Sequence, residues 1–199
     1  MTFRVLLPIL MTACLCACGG CQLHPRPVDA NGDSPAAGLP PLPYRVSNMR
    51  IQNLRAMTYL YSSTRTSFDS ISESGTARTV STLQQFMTAA GVRPTGPMLL
   101  ICHDPTEDPA ALFDLEIGFP VSEQTPAPGD FKIRTLVPFR CATMVYRGPL
   151  KHLRRAYDKL IPEMIAAGYV PSEQSRENFL VWEGAESSNN VVEIEVGIR

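Results

Sequence analysis

The chain has 199 residues, of which 44% are hydrophobic, and its 18 basic and 19 acidic side chains leave a formal net charge of −1 at pH 7. This balance gives no electrostatic basis for binding nucleic acid, which we do not expect as a partner. The length suits one globular domain with short appendages.

The N-terminus predicts a secretory signal rather than part of the fold. Arg4 supplies a positive charge, and the apolar run that follows it is too short to span a bilayer. Leu15-Cys16-Ala17-Cys18 matches the lipobox of bacterial lipoproteins, in which the cysteine is lipidated. We therefore predict a signal peptide over residues 1–17 and lipidation at Cys18. Cys21 is a second candidate, and an ordinary cleaved signal with incidental cysteines is the alternative.

Residues 18–43 are rich in proline and show no hydrophobic periodicity, which predicts a lipidated tether. Gly19 rather than aspartate follows Cys18, which in the lipoprotein resemblance indicates the outer membrane. The expected location is the bacterial cell envelope, lipid-anchored and facing the periplasm. Because everything before residue 44 reads as signal and tether, we expect no DNA-binding segment.

The folded domain is predicted over residues 44–199, and its first half reads as strands around one helix. The helix is expected from about Thr76 to Ala90, because apolar residues recur there at the 3.6-residue helical period, and Gly91 ends it. A polar loop is expected before the helix. The predicted extended segments are Val46–Leu54, Arg55–Ser62, Met98–Cys102 and Leu112–Val121.

After a connector at Ser122–Asp130 the same order of elements is predicted again. Arg147-Gly148-Pro149 ends a strand and starts a helix, since glycine permits the sharp turn and proline suits a first helical position. Pro162 is expected to kink this helix. The predicted elements are strands Phe131–Val137, Arg140–Arg147, Ser175–Trp182 and Val191–Ile198, the helix Pro149–Ala167 and a turn at Gly184–Asn190.

The two halves also share sequence. Met87–Pro94 and Met164–Pro171 both contain Ala-Ala-Gly and end in proline, and Leu115–Val121 is similar to Val192–Ile198. A repeat of this length predicts an α+β domain made of two β-β-α-β-β units related by a pseudo-twofold axis. We expect antiparallel sheets with both helices packed on one face and a cleft on the other.

The second half resembles the GyrI-like (gyrase-inhibitor-like) small-molecule-binding domain in the order of its motifs. A strand is followed by Arg147-Gly148-Pro149, then by an amphipathic helix, and then by Ala-Ala-Gly with Pro171 beyond it. That domain is also the effector-binding module of several bacterial transcription regulators, and its fold is shared with the SOUL heme-binding proteins. The resemblance covers about Val46 to Ile198. The first half departs from it, because a polar Ser/Thr stretch replaces Arg-Gly-Pro after its second strand.

The resemblance implies a cleft that binds a small hydrophobic or cationic ligand, with an acidic strand residue meeting the positive charge. Strand alternation places Leu115, Ile117, Phe119 and Val121 on the helix-covered side, so that Glu116 and Asp114 face the cleft. Glu116 matches the acidic position. Tyr59, Tyr61, Tyr146 and Trp182 are strand aromatics predicted to line the cleft, although a strand aromatic packs in a core by default.

Two alternatives to ligand binding stay open. Some relatives in the resembling family hydrolyse strained small molecules with a cleft glutamate and a tyrosine, so Glu116 is the candidate base of a hydrolase. The other alternative is an envelope interaction module that has lost its pocket. We expect no cofactor or metal, since His103 and His152 read as surface residues, although heme at His103 is a third option from the SOUL branch. Cys102 and Cys141 are expected to be buried free thiols rather than a disulfide.

Overall fold

The computed structural model describes residues 42–71, 73–106, 108–125 and 129–199, the side chains of residues 73 and 74 excepted. The predicted signal peptide, the lipidation site and nearly all of the tether therefore lie outside the described residues, as does the middle of the predicted connector. The statements below concern the described ranges.

The domain is of the α+β class, as the sequence predicts, and consists of strands, two α-helices and one 3-10 turn. The helices are α1 (Glu73–Ala89) and α2 (Arg154–Ala166), and the 3-10 turn is Leu150–His152. The strands are β1 (Arg45–Val46), β2 (Arg50–Leu54), β3 (Met57–Thr66), β4 (Met98–His103), β5 (Phe113–Val121), β6 (Lys132–Leu136), β7 (Phe139–Arg147), β8 (Pro171–Val181) and β9 (Val191–Ile198).

All the strands belong to one antiparallel sheet with the order β1-β7-β9-β8-β4-β5-β3-β6, and β2 also pairs with β7. The sheet is strongly curled. Strand β6 at one end of the order is joined to β7 near the other end by Val137 and Pro138 alone, and Arg55 and Ala56 join β2 to β3 in the same way. Such short connections require the two ends of the sheet to approach each other.

Both helices pack on one face of the sheet, which we call the helix face. The strands present alternate apolar residues to it, and helix residues fill the space between. On β5 this face carries Leu115, Ile117, Phe119 and Val121, which confirms the predicted alternation. Helix side chains fully buried there are Leu83, Ala156, Tyr157, Leu160 and Met164.

The opposite face lies inside the curl, and we call it the inner face. Its apolar cluster contains Tyr59, Tyr61, Leu99, Ile101 and Leu136. Leu136 and Phe139 flank the connection between β6 and β7. Leu136 belongs to the inner-face cluster, and the ring of Phe139 lies against the guanidinium of Arg176 on the central strand β8. Both residues beside the connection therefore pack on this face.

Each helix ends as its glycine predicts. Gly91 and Gly168 adopt positive φ angles of 65° and 83°, which glycine tolerates best. The N–H of Val92 donates to the carbonyl of Met87, and that of Tyr169 donates to Met164, at 2.8 and 2.9 Å. These bonds satisfy carbonyls that would otherwise lack partners at the helix ends. Within the described ranges neither helix is long and apolar enough to cross a membrane.

Four element boundaries differ clearly from the predictions. Strand β3 continues to Thr66, because the polar Ser/Thr stretch expected to be a loop pairs with β5 from Ser63 to Thr66. Helix α1 correspondingly begins earlier, at Glu73, and β8 begins at Pro171. The turn after Pro149 is a 3-10 turn, so α2 begins only at Arg154 and continues through Pro162.

Candidate functional site

A row of cross-strand neighbours runs over the centre of the inner face. In register, Glu116 on β5 lies opposite Ile101 on β4, Ile101 opposite Arg176 on β8, and Arg176 opposite Glu195 on β9. Directly opposed residues share a face of a sheet, and Ile101 belongs to the inner-face cluster. The row therefore places two carboxyl groups and a guanidinium inside the curl, where apolar residues would be the usual content.

Glu116, the acidic residue predicted to meet a ligand, lies on the inner face and is 7% exposed. Its Oε2 accepts a hydrogen bond from the Nη2 of Arg134 at 2.7 Å. On its other side the Nε2 of His103 is 3.3 Å from Oε1, and this pair carries full charge only when the imidazole is protonated. The carboxylate is thus held between two basic side chains, and both are more exposed than it is.

Tyr59 and Tyr61 are brought to the same face as Glu116. Their rings stack with centroids 5.2 Å apart, and the Tyr59 hydroxyl donates to the carbonyl of Leu99 at 2.7 Å. The Tyr61 ring also lies 5.3 Å from the guanidinium of Arg134. Burial, and secondarily the charge of Glu116, raises the pKa of both phenols. Both hydroxyls therefore stay protonated at neutral pH.

Tyr146 and Trp182 are not brought to this site. Tyr146 belongs to the helix-face core, where its hydroxyl donates to the carbonyl of Pro149 and its ring stacks on Tyr44. Trp182 lies beyond the end of β8, edge-on to Phe179 of the helix-face core, and is 37% exposed. The geometry thus gives no support to a shared cleft with Glu116 for these two aromatics.

Arg176 is a site residue that the sequence reasoning missed. It is 2% exposed, and its guanidinium lies over the ring of Phe139, 3.9 Å from the ring centroid. Its Nε–H has no hydrogen-bond acceptor, and no ion pair in the described part of the chain includes it. Burial lowers the pKa of Arg176 from its usual value, and the neighbouring Glu195 opposes that shift.

Glu195 is the buried counterpart of Glu116 on β9. The sequence marks it, together with Glu193, as a counterpart of the acidic strand but predicts a solvated edge charge, which the burial of Glu195 contradicts. It is 3% exposed, and its Oε2 has no hydrogen-bond partner. Burial raises the pKa of Glu195 to about 7, against the opposing effect of Arg176. Near neutral pH the group is therefore divided between its carboxylate and carboxylic acid forms.

A sequence signal for Glu195 existed. The same pattern, a glutamate followed two residues later by a glycine next to an aromatic residue, occurs in Glu116-Ile117-Gly118 and in Glu195-Val196-Gly197. Gly118 lies opposite Tyr61, and Gly197 lies opposite Cys141 with the Phe139 ring close by. The similarity of Leu115–Val121 to Val192–Ile198 pairs Glu116 with Glu193, which is two residues too early. Aligning Gly118 with Gly197 pairs Glu116 with Glu195.

The helix face holds a different polar group, around Glu177. Its Oε1 accepts a hydrogen bond from the Tyr157 hydroxyl at 3.0 Å, while its Oε2 and the Ser175 hydroxyl have no partner. Burial raises the pKa of Glu177 to about 7, and the hydrogen bond from Tyr157 opposes this shift.

The cysteines Cys102 and Cys141 lie on opposite faces of the sheet. Cys102 lies opposite Ser175 on the helix face, whereas Cys141 alternates onto the inner face. The two cysteines are buried free thiols, as expected.

A groove of about 230 Å³ lies between α1 and the strands β3 and β5. It is lined by hydroxyl and apolar side chains, among them Thr64, Thr79 and Leu115, and none of its lining residues carries a charge. An organic cation would find no counter-charge there. In the described ranges no three His, Cys, Asp or Glu side chains gather as metal ligands. The imidazole of His103 contacts the carboxylate of Glu116.

Residues 47–199 match the family described as GyrI-like small molecule binding domain. No curated protein sequence matches the chain.

Solved structures with similar folds are distant in sequence. The C-terminal domain of EcmrR aligns with a TM-score of 0.64 at 18% identity, covering 78% of this chain and 98% of that one. SAV2435 bound to tetraphenylphosphonium aligns with a TM-score of 0.51 at 13% identity, covering 77% and 94%. A hydrolase from Listeria innocua aligns with a TM-score of 0.51 at 10% identity, covering 76% and 91%. At these identities the similarity establishes the fold alone.

Proposed function

The chain belongs to the GyrI-like small-molecule-binding family, and on that premise we propose that it binds a hydrophobic organic cation on the inner face, with Glu116 as the counter-charge. Tyr61 and the apolar residues beside it form the hydrophobic wall of the proposed site. Tetraphenylphosphonium, which SAV2435 binds, has the required combination of aromatic surface and positive charge.

The observation that carries this proposal is the position of Arg134. Its guanidinium lies 2.7 Å from the Glu116 carboxylate and 5.3 Å from the centre of the Tyr61 ring. An organic cation needs the same two partners, a carboxylate and an aromatic face. Arg134 comes from β6 at the end of the sheet, and its side chain is 38% exposed, so a ligand can displace it into water.

We also propose that the domain is built from two copies of one unit related by a pseudo-twofold axis. The order of strands supports this arrangement. Each half contributes a strand, a helix and two strands, as β3-α1-β4-β5 and β7-α2-β8-β9, and β4 pairs with β8 at the junction. The first strand of each half pairs with the other half, β2 with β7 and β6 with β3. The inner face would then lie between the copies.

Calorimetric titration with tetraphenylphosphonium and tetraphenylborate tests the ligand proposal, since these ions match in shape and differ in charge. We expect the purified full-length protein to prefer the cation. Glu116→Gln should weaken cation binding about ten-fold or more, the usual value of a charged contact. Arg134→Ala should strengthen it, because the variant removes the competing guanidinium.

Glu186→Gln serves as the matched control, since Glu186 is a surface carboxylate paired with Lys151 and 72% exposed. Its affinity for tetraphenylphosphonium should equal that of the wild type. Equal affinity of the wild type and Glu116→Gln for the cation would contradict the proposal.

The burial of the inner face favours one second candidate, an envelope interaction module with a closed pocket. Tyr59, Arg176 and Glu195 are each at most 3% exposed in the free protein. This candidate predicts that neither tetraphenyl ion binds.

The hydrolase alternative is supported by the placement of Glu116 beside Tyr59 and Tyr61. Because Glu116 is hydrogen-bonded to Arg134, it has to be released from that bond before it can act as a base. Turnover of an activated ester that is lost in Glu116→Gln would favour it.

For the cellular setting we propose a lipoprotein that is anchored through Cys18 to the bacterial envelope, in the outer membrane, and faces the periplasm. The support is the sequence alone: the short apolar run, the lipobox Leu15-Cys16-Ala17-Cys18 and the proline-rich stretch after it. Two or more acyl chains would hold such a domain stably at the membrane, whereas one chain gives only marginal binding.

Metabolic labelling with an alkyne fatty acid tests the anchor. The full-length protein should incorporate the label and fractionate with membranes, and Cys18→Ser should abolish both. Cys21→Ser is the matched control and should keep the label. Loss of the label only in Cys21→Ser would assign the lipidation to Cys21 instead of Cys18. Absence of the label from the wild type would refute the anchor.

A further inference from the structure

We propose that the inner face contains a second polar subsite, formed by Arg176 and Glu195, which binds an anionic oxygen group of the ligand such as a carboxylate or sulfonate. The inference rests on the proposed function, because it assigns a further contact of a ligand bound on the same face. It adds an anionic oxygen group, at a second position, to the hydrophobic cation of the proposed function.

The first argument is the missing partner of Arg176. A guanidinium carries five N–H donors in a planar fork that matches carboxylate and sulfonate oxygens. Here it is 2% exposed, its Nε–H has no acceptor, and none of the ion pairs among the described residues includes it. Burying a charge without a partner is costly, so an unpaired buried guanidinium calls for an explanation, and a bound anionic oxygen supplies one.

The second argument is that Glu195 does not complete the pair. It lies directly opposite Arg176 in register, yet its Oε2 also lacks a hydrogen-bond partner. A purely structural ion pair would have brought these two groups together. Because burial also favours the uncharged acid, Glu195 can donate a hydrogen bond to an oxygen held by Arg176.

The third argument is the aromatic floor beside the charge. One side of the guanidinium lies over Phe139, 3.9 Å from the ring centroid, and Ile101 is its neighbour across the strands. A guanidinium stacked on a ring keeps its N–H edge free for hydrogen bonds. A ligand with an aromatic body and a projecting anionic oxygen fits both features.

The row of residues also sets a distance. Glu116 and Arg176 lie on either side of Ile101, two strand spacings apart, which is about 10 Å. A ligand that contacts both positions therefore carries its anionic oxygen roughly 10 Å from any cationic or hydrogen-bond-donating group placed at Glu116. Tetraphenylborate has no oxygen acceptor and does not probe this subsite.

Two fluorescent probes test the proposal on the purified full-length protein. 1-Anilinonaphthalene-8-sulfonate and N-phenyl-1-naphthylamine share an aromatic skeleton, and only the first has a sulfonate. We expect the wild type to bind the sulfonate probe about ten-fold more tightly or better. Arg176→Gln should abolish this preference and leave the affinity for the uncharged probe unchanged. Arg155→Gln, at an exposed position on α2, should behave as the wild type.

The outcomes separate this inference from the proposed function. Binding of tetraphenylphosphonium together with equal affinities of the wild type for the two naphthyl probes would overturn the subsite and leave the proposed function standing. A sulfonate preference that persists in Arg176→Gln would also overturn it. No binding of any probe to the wild type would overturn both. The comparison of probes on the wild type needs no variant, so a folding defect in Arg176→Gln cannot mask the result.

Discussion

Glu177 and Glu195 are both buried carboxyl groups whose pKa burial raises to about 7, on opposite faces of the sheet. Their environments differ. Glu177 is hydrogen-bonded to Tyr157 between β8 and α2, whereas Glu195 lies beside Arg176 and lacks a partner for Oε2. Glu177 therefore packs α2 on the sheet, whereas Glu195 belongs to the subsite that we propose for a ligand.

The raised pKa of Glu177 predicts how the stability of the protein depends on pH. In the unfolded chain a glutamate titrates near its ordinary value, about 4.3. Between that value and about 7 the folded state binds more protons than the unfolded state, so the free energy of unfolding falls as pH rises through this window. Glu195 contributes a fall of the same sign, so Glu177→Gln should reduce the fall without abolishing it and raise the stability at pH 8 by up to about 3 kcal/mol.

Urea unfolding at several pH values between 4.5 and 8 measures this effect. Glu173→Gln is the matched control on the same strand, since the Glu173 side chain is 65% exposed, and its pH profile should follow the wild type. A wild-type stability that rises between pH 5 and 7, or an unchanged profile in Glu177→Gln, would show that the carboxyl is not held in its acid form.

Among the site residues, Glu116 could be placed from the sequence and its basic partners could not. Strand alternation within β5 put Glu116 opposite the helices, and the structure confirms that side. Arg134 and Arg176 belong to other strands, β6 and β8, and which residues oppose Glu116 depends on the register of the whole sheet. A register error of one residue reverses the face of every side chain, so local patterns do not reveal such partners.

The turn Arg147-Gly148-Pro149 joins β7 to the 3-10 turn that precedes α2. Gly148 has a φ angle of 139°, and a Cβ at this position would lie 2.9 Å from the Cβ of Tyr44 and 3.0 Å from the Pro43 carbonyl oxygen. The turn also bonds to the loop before β9, through Gly148 N–H to Asn190 and Leu150 N–H to Ala185. Strand β7, the 3-10 turn and that loop therefore meet at one glycine.

Gly148→Ala is expected to lower the free energy of unfolding by about 2–3 kcal/mol through backbone strain and close contacts. Gly184→Ala is the matched comparison, because Gly184 also has a positive φ, 103°, but nothing lies within 4 Å of the added Cβ. It should be less damaging than Gly148→Ala in chemical denaturation. Equal losses would show that the contacts with Tyr44 and Pro43 contribute nothing.

The elements themselves were largely predictable, and the exceptions have a physical cause. Strand β9 begins and ends where apolar alternation placed it, and both helices end at their glycines. The error at β3 arose because Ser63–Thr66 have little apolar character, and their extended conformation comes from pairing with β5. Pairing of this kind is a tertiary effect that overrides local propensity.

At the scale of the whole molecule the curl of the sheet creates the site. The order of strands and helices follows from sequence periodicity, but the pairing of β2 with β7 and of β6 with β3 does not, because it depends on where two short connections cross. That pairing brings Leu136 and Phe139 onto the inner face, beside the charged row. The sequence therefore indicated a cleft and an acid, and only the curled sheet shows that the acid shares its space with Arg134 and Arg176.

An experimental structure of the full-length protein with tetraphenylphosphonium tests the central claim most directly. We expect the cation on the inner face, in contact with the Tyr61 ring, with Arg134 displaced from Glu116. A cation seated instead in the groove beneath α1, with the pairing of Arg134 and Glu116 intact, would contradict the account.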